Sequence, residues 1–396
     1  MAAEPDAAQE AEATEGSAAA KDSRTAAERA AALADLAKKG AEAVPELVQA
    51  LADKDPEVRR AALRGLAQTA PAGADIAVPA LIRALDDDGG NWQRPNWILA
   101  SQALGRYKEA AVPALMELLK SDDPKQTAYG CLGIYEIGAA GAQAVPRLIE
   151  LLEKDDARYR RAVIGALMSI GPASAPAVPL LRKQLFSEDF HTQYWSCRAL
   201  GAIGAPAALE AVPDLVDRLK NGAASVKRNA AAALGKLGPD IGTEAVNALI
   251  EAVDDPLQPV REQAIQALGR IGPAVGERAA TAILESHQKR PVFPASVVYW
   301  ALWRIRGESQ PAIDAIVRDL REGTYGDEAM ALLLEMGLAA EGAIPALRAG
   351  LTEQSQEFPE WPGRAAWALN KLHAAGFPNT DLPAELKAQL EAEEDE

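Results

Sequence analysis

Apolar residues recur along the chain at helical spacing. Val44, Leu47, Val48 and Leu51 fall at offsets 0, 3, 4 and 7, and Val78, Leu81, Ile82 and Leu85 repeat the pattern. Val212, Leu215, Val216 and Leu219 repeat it again much later. This spacing gathers four apolar side chains on one face of a helix. A second kind of amphipathic stretch follows each of these. In the segment running from Val260 through Leu268 to Pro273, Val260, Ala264, Leu268 and Ile271 share one face. Small residues beside that face, such as Ala264 and Gly269, allow close helix approach.

The pair of stretches is itself periodic. An Ala-Val-Pro-x-Leu block brings Pro45, Pro79, Pro113, Pro146, Pro179 and Pro213 into one slot, which Asn247, Thr281, Asp314 and Pro345 then occupy, at intervals of 31 to 34 residues. A fixed period of this size predicts a stack of small units in place of one globular core. Proline suits the first helical turn, where its missing N–H has no helical partner. Gly204, Gly238 and Gly272 close the second stretches and predict left-handed C-caps, with a proline soon after to stop the helix. No stretch shows strand-like alternation between hairpin turns. The expected fold is all-α: a right-handed α-α superhelix of about ten helix pairs over residues 25–373. Ala32-Leu33-Ala34-Asp35-Leu36 resembles a second helix without its first and is expected to cap the N-terminal end. Residues 1–24 read as a disordered acidic tail. Residues 374–396 read as a C-terminal capping helix, from about Leu382, fraying into an acidic tail.

The segment Asp55-Pro56-Glu57-Val58-Arg59, and later Ala199-Leu200-Gly201-Ala202-Ile203-Gly204, resemble the HEAT-repeat superfamily. The likeness is strongest to the short bacterial form also found in phycobilisome lyases. Tetratricopeptide repeats share the period but need a Trp/Gly/Tyr/Phe pattern, and ankyrin repeats need Thr-Pro-Leu-His; neither is present. The resemblance implies that first helices form the convex face and second helices line the concave face. It leaves function open, because this fold serves many roles. A chromophore-lyase-like enzyme is one alternative, although no residue marks a bilin site. A nucleic-acid binder, as in HEAT-like DNA glycosylases, is another.

Charge narrows the alternatives. The net charge is −16, but the two tails carry −10 of it and the repeat body only −6. An acidic chain argues against generic nucleic-acid or anionic-membrane binding. No segment reads as the ~20 apolar residues needed to span a bilayer, and no signal-peptide core is apparent. The expectation is a soluble, cytoplasmic monomer, with an exported location open if a signal peptide was removed before Ala2.

Chemistry-bearing residues are sparse. His191, His287 and His373 lie in different repeats, too far apart for a metal cluster or triad. The paired His-Glu iron ligands of the HEAT-like deoxyhypusine hydroxylases have no counterpart in Phe-His-Thr, Ser-His-Gln and Leu-His-Ala. Cys131 and Cys197 sit two repeats apart, beyond disulfide reach at roughly 10 Å per helix layer, and read as buried core thiols. No catalytic, cofactor or metal residue is assigned, and the chain is read as a non-enzyme.

Counting from the recurrent Leu of each second helix, positions −6, −5, −2 and +2 are expected to face the groove. They bring out Tyr129, Arg161, Tyr194, Trp195, Arg198, Arg228, Lys236, Arg270, Trp300, Arg304 and Trp367. Tyr, Trp and Arg are the residue types most enriched in binding hot spots. The groove therefore reads as a site for a protein or extended peptide, acidic or mixed in charge. Glu136, Glu262, Asp327, Glu328 and Glu335 interrupt any basic stripe, which disfavours nucleic acid. The competing reading has the same rings packing between helices and the long cations lying solvated. Arg59, Arg160 and Arg261 read as structural partners of acids such as Asp55 and Asp156. Insertions at 86–97, 290–294 and 358–362 join first helix to second, and Trp97 is expected to plug a gap there. The acidic tails could fold back over the groove arginines.

Overall fold

The computed structural model describes residues 24–91, 94–292, 294–323, 325–353 and 355–383. The acidic N-terminal tail and most of the proposed C-terminal helix lie outside the described residues. Among the described residues, 40–374 form an all-α helical-repeat solenoid of ten helix pairs, preceded by a lone helix, Ala26–Ala37. That helix packs along Pro56–Thr69, in the layer of second helices, as expected of a half-repeat cap. A Thr25–Glu28 capping box starts it.

The slot proline decides how each first helix begins. Where proline is present, helices such as Val145–Glu153, Val178–Gln184 and Val212–Asn221 open one residue before it, after a separate 3-10 segment. Where Asn247, Thr281 or Asp314 replaces it, Gly242–Ala252, Gly276–Lys289 and Ser309–Glu322 open five residues earlier. An N–H is then available for the i→i−4 bond that proline lacks. Repeat two departs from this: Pro79 lies inside Ala74–Arg83.

The closing glycines have positive φ, but not the left-handed helical conformation expected. Gly204, Gly238 and Gly272 combine φ of 76°, 79° and 76° with ψ of −179°, −156° and −144°. This extended, positive-φ region is open essentially to glycine alone. It turns the chain sharply into the 3-10 lead-in of the next repeat. Where that lead-in is missing, at Gly307 after the second helix of repeat eight, the αL cap is found.

One continuous apolar core runs through the stack. Second helices approach their successors closely, and first helices touch theirs only sparsely. Glycines set this asymmetry. A Cβ on Gly201 would lie 3.0 Å from the Ala233 Cα, and one on Gly235 2.6 Å from the Ala267 Cα. A layer with the shorter repeat spacing is the inner layer of a curved stack, so the second helices line the concave wall.

Several expectations need correction. Residues 160–184 are long and apolar enough to cross a membrane, with mean hydropathy 1.5 in the best window; here they form Arg160–Ile170, a 3-10 segment and Val178–Gln184, with 56% of that window buried in the stack. The insertion at 86–97 contains a minimal antiparallel pair, Gly90–Asn91 with Arg94–Pro95. Its gap is closed by Asn96, fully buried, which donates to Pro56 O at 3.0 Å and Asp87 Oδ2 at 2.9 Å. Trp97 is only half-buried, and Trp92 lies outside the described residues. In repeat ten the gap-filler is Trp361, set against Gly350, where a Cβ would lie 2.6 Å from its ring. Residues 375–383 are not helical; Arg348 ties them to the last first helix by donating to Asn379 O at 2.8 Å.

The aspartate–arginine pairs are also redistributed. Asp55 caps its helix, accepting from Glu57 N at 2.9 Å. Arg59 instead reaches the next repeat and grips both oxygens of Asp87 at 2.7 Å. Arg160 pairs with Asp155 at 2.7 Å, while Asp156 pairs with Arg158. Arg261 donates to the carbonyls of Asp255 and Pro256 at 3.0 Å. These residues are structural, but they stitch loops and neighbouring repeats.

Candidate functional site

The inner wall is built from the second helices Pro124–Ile137, Arg160–Ile170, Phe190–Ile203, Ala224–Leu237 and Gln258–Ile271. Apolar positions anchor each helix to the core and leave the remaining face toward the groove. Tyr194 and Trp195 are half-buried and stack on each other with centroids 5.6 Å apart. The guanidinium of Arg198, exposed, lies 4.6 Å from the Trp195 ring centroid, a cation–π arrangement.

Two hollows lie along the wall at the Tyr194–Trp195 pair. One, of about 380 Å³, is lined by Leu132, Tyr135, Arg161, Ala162, Gly165 and Trp195. It is mostly apolar, with Arg161 exposed. Its opening depends on Gly165: the hollow occupies the place where a side chain at that −2 position would stand, beside the Tyr135 ring. The other, of about 430 Å³, is polar and is lined by Tyr194, Arg198, Ser225, Arg228 and Asn229. Tyr135 was not among the sequence-selected residues, because it sits at +1. The missing side chain at the −2 position of repeat four was the signal that could have found it.

Past Arg198 the wall carries Arg228, Lys236 and Arg270, all exposed. The stem of Lys236 crosses Gly201, where a Cβ would lie 3.4 Å from the lysine Cδ. Desolvation by the wall, then the charges of Arg270 and Arg198, holds Lys236 below the ordinary lysine range. Among the described residues, Arg161, Arg198, Arg228, Lys236 and Arg270 form no ion pair. The inter-repeat cations Arg29, Arg59, Arg182 and Lys227, by contrast, all do. Acids bound the patch. Burial pushes Glu136 and Glu262 up, with Glu328 raising Glu262 further and Arg228 opposing.

The other selected residues divide. Tyr129 is half-buried and donates to Asp86 at 3.0 Å, with Lys125 paired to the same acid at 2.6 Å. Trp367 is half-buried against the core at the far end of the stack. Arg304 bonds the Gly269 carbonyl at 3.3 Å. Trp300 does not belong to the groove: it is 1% exposed. Gly269 leaves room for it, a Cβ there lying 2.6 Å from the Trp300 ring, so the indole seals the joint between two repeats. The histidines stay apart. His287 accepts from Val292 N at 3.1 Å, and His373 lies beside Thr380. Burial pushes the thiols of Cys131 and Cys197 up to about 12. No group of three or more His, Cys, Asp or Glu converges as a metal site among the described residues.

The HEAT-repeat family profile matches residues 17–94, 98–168, 145–220 and 212–303, most of the chain. The chain belongs to the HEAT-repeat family. Its HEAT repeats continue structurally beyond the last match, through Trp361–Ala374. Among solved structures, it is similar to the karyopherin Kap121p bound to the extreme C-terminus of the protein phosphatase Cdc14p, with TM-score 0.57, 14% identity and 88% of this chain covered. Kap121p bound to Pho4p matches at TM-score 0.55 and 14% identity over 87% of this chain. This HEAT-repeat chain spans 43% and 42% of those two karyopherin chains. An engineered protein aligns over 88% of this chain and 96% of its own, at 23% identity and TM-score 0.40. No curated protein sequence matches the chain.

Proposed function

We propose that this HEAT-repeat chain is a non-enzymatic scaffold whose concave wall binds an acidic, extended segment of a protein partner. One observation carries the reading: five cations gather on the inner wall without a carboxylate partner among the described residues, beside a half-buried Tyr194–Trp195 stack. Like charges held out of ion pairs in one groove attract an anionic ligand and repel a cationic one. The aromatic stack adds contact area where hot spots concentrate. The similar karyopherin was solved bound to the extreme C-terminus of Cdc14p and bound to Pho4p, which agrees with a binding role for this fold.

Anisotropy of a fluorescein-labelled Asp/Glu-rich peptide tests the reading. Trp195→Ala with Arg198→Ala weakens its binding at least about tenfold, the loss expected of one hot spot, while far-UV helicity and melting stay near wild type. Wild-type affinity in the folded double variant defeats the groove assignment.

A further inference from the structure

The two hollows at the Tyr194–Trp195 pair differ in chemistry, and that difference narrows the ligand. Resting on the binding role just proposed, we infer that the groove reads a two-part segment: one large apolar residue in the Tyr135–Trp195 slot, and an acidic run against Arg198, Arg228, Lys236 and Arg270.

The slot is shaped for an apolar side chain. Gly165 and Ala162 supply a floor without bulk, and the Tyr135 and Trp195 rings stand on either side. Its volume of about 380 Å³ exceeds what a Leu or Phe side chain fills. Arg161 lines it, and the Arg198 guanidinium lies 4.6 Å from the Trp195 ring centroid. The second hollow has no such floor. Arg198, Arg228 and the Ser225 hydroxyl line it, which suits carboxylates, while the Asn229 amide donates to Ser225 O at 2.7 Å. Lys236, on the same helix as Arg228, and Arg270, in the next repeat, continue the positive wall.

Spacing follows from the repeat. Adjacent inner helices pack about 8–10 Å apart. The slot spans repeats three to five and centres on repeat four, and the cation group centres on repeat six. The gap is thus roughly 16–20 Å, which an extended chain covers in about four to six residues. An apolar anchor about four to six positions from the centre of an acidic run therefore satisfies both hollows together.

Four labelled peptides test this against the full-length protein: anchor plus acidic run, the anchor changed to Ala, the acids changed to Gln, and both parts kept but placed adjacent. The spaced two-part peptide is expected to bind at least about tenfold tighter than either single-feature peptide and severalfold tighter than the adjacent form. Gly165→Met, which fills the slot, removes the anchor's advantage and leaves the acid-only peptide unaffected. Arg228→Glu weakens every acid-bearing peptide and leaves the anchor's advantage intact. Raising salt weakens the acidic part alone. If acid-bearing peptides bind but the anchor adds nothing, or Gly165→Met changes nothing, the two-part inference falls and the acidic groove stands. If no acidic peptide binds, both fall.

Discussion

Curvature of the inner wall is set by glycine, and Gly235→Ala measures how strongly. A Cβ at Gly235 would sit 2.6 Å from the Ala267 Cα and 2.8 Å from its Cβ, whereas ordinary contact begins near 3.4 Å. Both obstacles lie on or next to backbone, so the second helices Ala224–Leu237 and Gln258–Ile271 must separate by about 1 Å to reach ordinary contact. Across the ~10 Å between layers, that opens the joint by roughly 6°. Alanine gains about 1 kcal/mol over glycine within a helix, while forced overpacking costs about 1–3 kcal/mol. The strain wins narrowly, and a small fall in melting temperature is expected. Adding Gly201→Ala and Gly269→Ala, whose Cβ atoms would meet Ala233 and Ala301 backbone at 3.0 and 2.9 Å, opens three joints together. Roughly 10° of straightening, less than three equal joints would give because the Gly201 and Gly269 overlaps are smaller, moves the ends apart by on the order of 3–6 Å. Spin labels on Lys38→Cys and Ala346→Cys, both exposed positions, report that distance by pulsed dipolar spectroscopy; the native cysteines are buried and escape labelling. An unchanged distance in a triple variant of full helicity refutes the account of curvature.

Two further outcomes concern charge. Asp87 is held at about 2, against 3.8, chiefly by Arg59, with burial opposing and Asn96 and Gly89 assisting. The pair is well shielded, so Asp87→Asn is expected to cost about 2 kcal/mol near neutral pH. A depressed carboxylate stabilises above its unfolded value, so the deficit persists above about pH 4 and fades toward pH 2; amide exchange across Pro56–Thr69 and Asn96–Tyr107 follows it, and a pH-independent deficit contradicts the ionic account. Glu136 is shifted upward by burial, so its charged form is the strained one. Glu136→Gln raises the melting temperature near neutral pH, and the gain shrinks as pH falls into the ordinary carboxylate range; thermal melts showing a gain that grows in acid would count against this.

The repeat, the helix pairs and the N-terminal half-repeat were legible because each is encoded within a single unit: a 3.6-residue apolar stripe, a proline, a closing glycine. The features that escaped depend on two units at once. Trp195 and Trp300 look alike in sequence, each near the recurrent leucine of a second helix. Trp300 is buried because Gly269 of the preceding repeat vacates its place, and Trp195 stays beside the groove while Gly165 opens a slot next to it. Likewise, Arg59 reads as a partner for Asp55 four residues away, yet its carboxylate comes from Asp87 in the next repeat. A slot rule drawn from one repeat gives the face a residue occupies. Whether its ring is covered depends on the size of the residue one period earlier.

The same two-unit logic separates the cations by role. Arg29, Arg59, Arg182 and Lys227 each meet a carboxylate from a neighbouring repeat, so their charge is consumed in holding the stack. Arg198, Lys236 and Arg270 instead come from successive repeats in which the nearest charged neighbours of Lys236 are the two arginines. Stacking brings like charges together there, which opposes folding slightly, and no internal acid offsets it. Neutral replacements at these three positions should therefore leave stability unchanged or raise it, while removing the attraction for an acidic ligand. Under the proposed function, the positions where stability and binding part company mark the working face of the groove. Substitutions at the stitching cations should lower both.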